Sequence, residues 1–187
     1  MRQAHHMTID RALLLYILHL IEPHGLYNDV RLQQLCFLCE LQLFSKGFRA
    51  LHFEFFRFAY GAFSKDLDND LLSLRRKEKV ENFSVVEQVV EEIVPLITAS
   101  ADAHEPNKHS LELIQAVVAT YAAQDTTQLT KSVEDVALTT PEQPELKLPI
   151  RDISFHTIML VPHRIEVANE FTLPPRDLAK LNKLMGY

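Results

Sequence analysis

Between residues 8 and 25 the apolar side chains Leu13, Tyr16, Ile17 and Leu20 recur at the three- and four-residue spacing that lines one face of an α-helix. Asp10 supplies acid to the first turn, and Pro23 and Gly25 supply the stop. Asn28 and Asp29 can cap a second helix, whose stripe of Leu32, Leu35, Cys36, Cys39 and Leu43 runs to Gly47. The period then changes. Residues 52–61 (HFEFFRFAYG) alternate around Phe53 and Phe55 and are rich in aromatics, which suits a short strand. Gly61 lets that strand end in a turn which a side chain would resist.

Ser64 is placed to N-cap a third helix, with Asp66, Asp68 and Asp70 near its positive end as a solvated first turn. Leu67, Leu71 and Leu74 form its buried stripe, and Arg75, Arg76, Lys77 and Lys79 close it. Residues 80–86 (VENFSVV) alternate weakly, as a short strand or a hairpin arm would. A helix follows up to Pro95, then a loop over 98–109, then a helix over 110–121 with Leu111, Ile114, Val117 and Val118 inward. Asp125 caps a further short helix carrying Leu129, Val133 and Val136. Three prolines in 139–149 predict a surface loop or tether, after which two strands around Pro162 and a helix opened by Pro174 and Pro175 complete the chain. The elements sum to an α+β fold, predominantly helical, with a small antiparallel sheet or hairpins packed on a helical core.

At 187 residues and 47% hydrophobic content the chain is expected to form one domain with a real core. A net charge of -6 disfavours wrapping a long phosphate backbone. No apolar run is long enough to span a bilayer, and no signal peptide precedes the two cysteines, so a reducing cytoplasm is the expected setting. Residues 1–7 (MRQAHHM) read as a native lead-in or the remnant of a tag, and no structural role is assigned to His5 and His6.

Catalytic motifs are not legible. Cys36 and Cys39 lie inside a predicted helix with no second ligand pair, which makes them buried, inert thiols. The nine histidines are scattered, so no metal site is expected, and four glycines leave little scope for a phosphate-cradling loop. No catalytic residue and no cofactor is assigned.

Three segments taken in order resemble the Panacea or SocA-like family of bacterial and phage antitoxin-associated domains. They are the RLQQLCFLCE helix, the FRFAYGAFSKDLDNDLLSL turn and helix, and LIQAVVATYAAQDTTQLTKSVEDVALTTPE. Arg31, Leu32, Gln33 and Gln34 stand at a K-L-Q-K-type helix start, and Phe58, Tyr60, Gly61, Ala62 and Phe63 at an aromatic-glycine turn followed by Ser64. Tyr121, Thr126, Leu129 and the T-T-P ending at Pro141 match the late segment. The chain departs from the pattern in having no tryptophan and in placing Ala62 where the family has proline. The resemblance covers residues 8–141 as a helical domain and leaves 142–187 as a C-terminal extension of strands and a helix, expected to pack on the same domain.

The resemblance implies a non-enzymatic role, an antitoxin or protease-adaptor-like module that neutralises a toxin encoded nearby by direct binding. The residues expected to meet a partner are Phe56, Phe58, Tyr60 and Phe63, or alternatively Asp68, Arg75 and Arg76 on the outer face of the third helix. The aromatics have a competing fate as core beneath the first two helices. DNA is the runner-up partner, through a winged-helix arrangement in which Arg75, Arg76, Lys77 and Lys79 touch phosphates. An unrecognised hydrolase is a third reading.

Overall fold

The computed structural model describes residues 2–25, 28–140 and 142–187, so Pro141 of the T-T-P segment and Met1 of the lead-in lie outside the described residues. Among the described residues the chain forms seven α-helices and small sheets of two or three strands, an α+β fold that is predominantly helical. α1 (Ala4–Ile21) and α2 (Asp29–Ser45) are the most deeply buried helices, with Leu13, Leu14, Ile17, Leu32, Leu35 and Phe37 wholly inaccessible. Burial on nearly every face explains why their apolar residues exceed a single stripe. None of the described helices is long and apolar enough to cross a membrane.

β1 (Phe48–Arg49), β2 (Phe55–Phe58) and β3 (Gly61–Phe63) follow, and Ser64 caps α3 (Lys65–Arg76) by accepting from the Leu67 N–H. β4 (Val80–Glu81) and β5 (Ser84–Val85) form a short hairpin before α4 (Glu87–Ala103), α5 (Glu105–Tyr121) and α6 (Thr126–Glu134). Asp125 caps α6 through a reciprocal pairing with Gln128. β6 (Ala137–Thr140) and β7 (Gln143–Pro149) form an exposed hairpin, β8 (Ile158–Leu160) and β9 (Asn169–Glu170) follow, and α7 (Pro175–Met185) ends the chain.

The C-terminal extension is woven into the rest. β8 pairs antiparallel with β2, and β9 pairs parallel with β1. Asn107 on α5 exchanges two hydrogen bonds with the Thr172 backbone at 2.8 and 3.0 Å. Thr8 on α1 donates to Asn182 on α7 at 2.8 Å, and Leu181 and Met185 are fully buried.

Several expectations need correction, among them that for Asp10, which is wholly buried beyond the first turn of α1 rather than in it. α4 does not stop at Pro95: Ile93, Ile97 and Ser100 carry its buried stripe past the proline, which faces solvent, where water can satisfy the carbonyl that its ring frees. The loop expected over 98–109 is instead the end of α4 and the start of α5, broken only at His104, with Pro106 in a first turn that needs no N–H donor. The tether expected over 139–149 is the β6–β7 hairpin, whose two exposed faces carry no alternation for a sequence reading to detect. Asp70 is not a solvated first-turn residue: it is 2% exposed and pairs with Arg2 at 2.7 Å and Arg11 at 2.8 Å.

The lead-in is also structured. Residues 4–7 form the first turn of α1, and Arg2 bridges Asp10 and Asp70 while its guanidinium lies 5.1 Å from the Phe53 ring centroid.

Candidate functional site

The aromatic turn is held by two consecutive glutamines. On α2, Gln33 accepts from the Ser64 N–H at 2.8 Å and donates to the Ser64 carbonyl at 3.1 Å. Gln34 does the same to Ala62, both bonds at 3.0 Å. Each buried amide thus pairs one residue of the β3 segment as a neighbouring strand would, and the spacing of two matches the strand period. Gly61 has φ of +103°, and a Cβ there would come within 2.4 Å of Gln34 Oε1. Glycine is therefore required both by the backbone and by the clamp.

Arg57 secures the opposite side. Its buried guanidinium donates to Ile150 O at 3.0 Å and to Glu134 at 2.7 Å, and it also reaches the carbonyls of Phe58 and Gly61. Arg31 ties the start of α2 to Gly25 O at 2.8 Å and Ala122 O at 2.6 Å, one residue beyond Tyr121. Leu129 is fully buried in the core, and Tyr121 is half-buried at the end of α5. Gln33, Gln34, Gly61, Ala62 and Ser64 thus form the clamped turn itself, whereas Arg31 and Tyr121 lie at the α2 start and α5 end, and Phe58 and Tyr60 project outward.

The turn presents an apolar surface. Phe58 and Tyr60 are 40% and 59% exposed, while Phe56 and Phe63 are half-buried and pack edge to face at 5.4 Å. Phe63 also supports Phe58 at 5.4 Å. Ile158, paired with Phe56 across β2 and β8, is 62% exposed, and Phe155, at 60%, packs instead on the Arg57 guanidinium. At the turn itself a dimple of about 180 Å³ is lined by Asp29, Val30, the two glutamines, Phe58, Tyr60, Ala62 and Phe63. Arg75 joins this surface through its 3.3 Å pair with Asp29.

The other α3 candidates separate. Arg76 is exposed, whereas Asp68 is half-buried. α3 followed by the β4–β5 hairpin has the order of a helix and wing, yet Arg75 stacks on Phe83 at 4.8 Å and donates to Asn82 O. Lys77 lies 4.3 Å from the Tyr187 ring centroid and donates to Gly186 O. Two of the four cations offered to phosphate are thus engaged within the chain.

A second, polar cluster escaped the sequence reading. His52 donates its backbone N–H to Asp10 Oδ1 at 3.0 Å and places its ring Nδ1 2.8 Å from the same oxygen. Its Nε2 faces Glu170 Oε1 at 3.3 Å, and His6 stacks on the His52 ring at 4.0 Å. Burial, aided by the neighbouring His52 and His5, lowers the His6 pKa to about 4. Burial opposes ionisation of Glu170, but hydrogen bonds from Arg49 and His52 prevail and hold its carboxyl below the ordinary range. A cavity of about 320 Å³ opens over His6, His52 and Glu170, with His163 and Glu54 at its edge. The available signal was the i, i+4 spacing of His6 and Asp10, which setting residues 1–7 aside discarded.

Cys36 and Cys39 are fully buried free thiols, and burial pushes both pKa values up, opposite to what a nucleophile or redox pair needs. Comparison with family models, with curated proteins and with solved structures gave no match.

Proposed function

We propose that this protein is a non-enzymatic protein-binding module of the cytoplasm, the antitoxin or protease-adaptor-like component of a bacterial or prophage toxin–antitoxin system. The observation that carries this reading is the exposure of Phe58 and Tyr60 on a turn whose backbone is clamped by buried Gln33 and Gln34. Aromatic anchors on a rigid support lose little conformational freedom on binding, and such residues dominate interface energies. The resemblance in residues 8–141 supplies the biological context, and the partner it implies is a toxin encoded beside this chain.

The test is co-expression with the neighbour-encoded protein. Wild-type protein is expected to co-purify with that neighbour and relieve its toxicity. The double substitution Phe58→Ala and Tyr60→Ala is expected to weaken binding by about 2 kcal/mol or more, roughly 30-fold, without lowering thermal stability. Unrelieved toxicity, or unchanged affinity in the double variant, rejects the reading or its site. Salt-sensitive binding to promoter DNA in place of protein would favour the regulator instead.

A further inference from the structure

We infer that His6, His52 and Glu170 form a binding site for a borderline divalent cation of the zinc class, with one coordination position left open toward the cavity. This inference is independent of the toxin–antitoxin reading. The His52 and His6 Nε2 atoms lie 3.3 and 3.7 Å from Glu170 Oε1, and one ligand atom from each of the three residues falls within 4.8 Å of the others. Ligand atoms about 2.0–2.2 Å from a tetrahedral zinc stand roughly 3.3–3.6 Å apart, so the cluster is already near that spacing.

The second shell points the same way. Asp10 is wholly buried and bonds His52 at Nδ1, the carboxylate–histidine arrangement that fixes a ring with Nε2 turned to a metal. With the Nδ1 proton donated to Asp10, a singly protonated His52 ring turns its Nε2 lone pair to Glu170 Oε1 across 3.3 Å, and the hydrogen bond to Glu170 exists only when Nε2 is protonated as well. Two acceptors at that distance need something positive between them, either a second proton on His52 or a cation. Arg49 holds both oxygens of Glu170, donating from Nε to Oε1 at 3.2 Å and from Nη2 to Oε2 at 3.4 Å, so a cation at Oε1 would take the place of the Nε bond while Nη2 keeps Oε2.

His6 completes the set by tilting out of its stack with His52, since parallel rings cannot both aim a lone pair at one ion. Its place in the half-exposed first turn of α1 leaves it room to do so at the expense of the long 3.4 Å bond that its Nδ1 accepts from the Gln3 N–H. The open position faces the cavity edged by His163 and Glu54, so water or an external donor atom can take it. The three ligands come from the start of α1, the segment before β2, and β9, so an ion here would lock the two ends of the chain together.

Untagged full-length protein, stripped with chelator, is titrated with ZnCl2 by calorimetry and with Co(II) by visible absorption. One equivalent is expected to bind, with d–d bands of a four- or five-coordinate Co(II) site, and Zn²⁺ is expected to raise the thermal midpoint. His6→Ala and Glu170→Gln are each expected to weaken binding at least about tenfold, while His109→Ala, on α5, leaves it unchanged. Absence of saturable binding at 100-micromolar-scale Zn²⁺ would overturn the site and leave the second proton on His52 as the bridge. Equal affinity in wild type and both ligand variants, all folded by circular dichroism, would overturn it too.

Discussion

Gly61 shows how one residue couples the backbone to the surface it displays. Alanine there would need both a left-handed conformation and the space held by Gln34 Oε1, so the clamp on Ala62 must open. Strain at the unfavourable φ and the loss of buried amide hydrogen bonds each cost about 1–3 kcal/mol, and Gly61→Ala is expected to destabilise the protein by about 3 kcal/mol in urea denaturation. A loss under 1 kcal/mol would show that the clamp is not rigid. Glu40 poses a different problem: it is 1% exposed, its Oε1 accepts from the Phe53 N–H at 2.7 Å, and its Oε2 is without a hydrogen-bond partner. Burial, reinforced by the charge of Asp10 against the opposing effects of the Phe53 N–H and Arg2, pushes its pKa well above the ordinary carboxyl value. A raised folded pKa means that the native state holds the proton more tightly than the unfolded chain. The stabilisation is complete below the ordinary carboxyl range and drains away as pH rises toward the folded value. Glu40→Gln mimics the protonated acid, so its stability relative to wild type should climb as pH rises above the ordinary carboxyl range and level off only once the folded value is passed. A difference independent of pH would show that Glu40 is ionised in the fold.

At the scale of elements, legibility followed local physics. Helices with strong spacing and a cap, such as α3 behind Ser64 and α6 behind Asp125, were visible because each signal sits within a few residues of the structure it dictates. The β6–β7 hairpin and the continuation of α4 through Pro95 were not, since one lacks a buried face and the other depends on which side of the helix meets water. The aromatic turn was legible as a turn, but its clamp was not: Gln33 and Gln34 look like ordinary polar helix residues until β3 is laid against them. The polar cluster was hidden for a stronger reason, as its members are separated by as many as 164 positions (170 − 6) and meet only after β9 joins β1. Arg2 shows what that concealment cost. It bonds Asp10 at 2.9 Å and Asp70 at 2.7 Å, and both carboxylates are nearly inaccessible. Removing one partner of a buried charge pair typically costs 3–5 kcal/mol; because His52 and Arg11 remain, Arg2→Ala is expected to cost about 3 kcal/mol in chemical denaturation. Unchanged stability would return residues 1–7 to the status of a dispensable lead-in.

The molecule as a whole closes its two ends against each other, and this sets how its interior opens. α7 buries Leu181 and Met185 completely, and Tyr187 beyond it lies under the Arg11 guanidinium at 3.9 Å while donating to Ser73 at 2.6 Å. Burying two such side chains contributes about 4 kcal/mol, taking roughly 2 kcal/mol each. Cys36 and Cys39 report on opening because they are inaccessible and held as thiols, so a thiol reagent can reach them only when the surrounding core separates. If the C-terminal extension is an integral part of one cooperative unit, deleting residues 175–187 raises the population of the open state by the lost stability, about 4 kcal/mol or close to 1000-fold. The labelling rate of both cysteines in native buffer should rise by that factor, and by the same factor at each thiol, since both are buried on α2. Labelling that stays slow after the deletion would mean that α7 is an appendage on a core complete without it. Acceleration at one cysteine alone would mean that the core opens in parts.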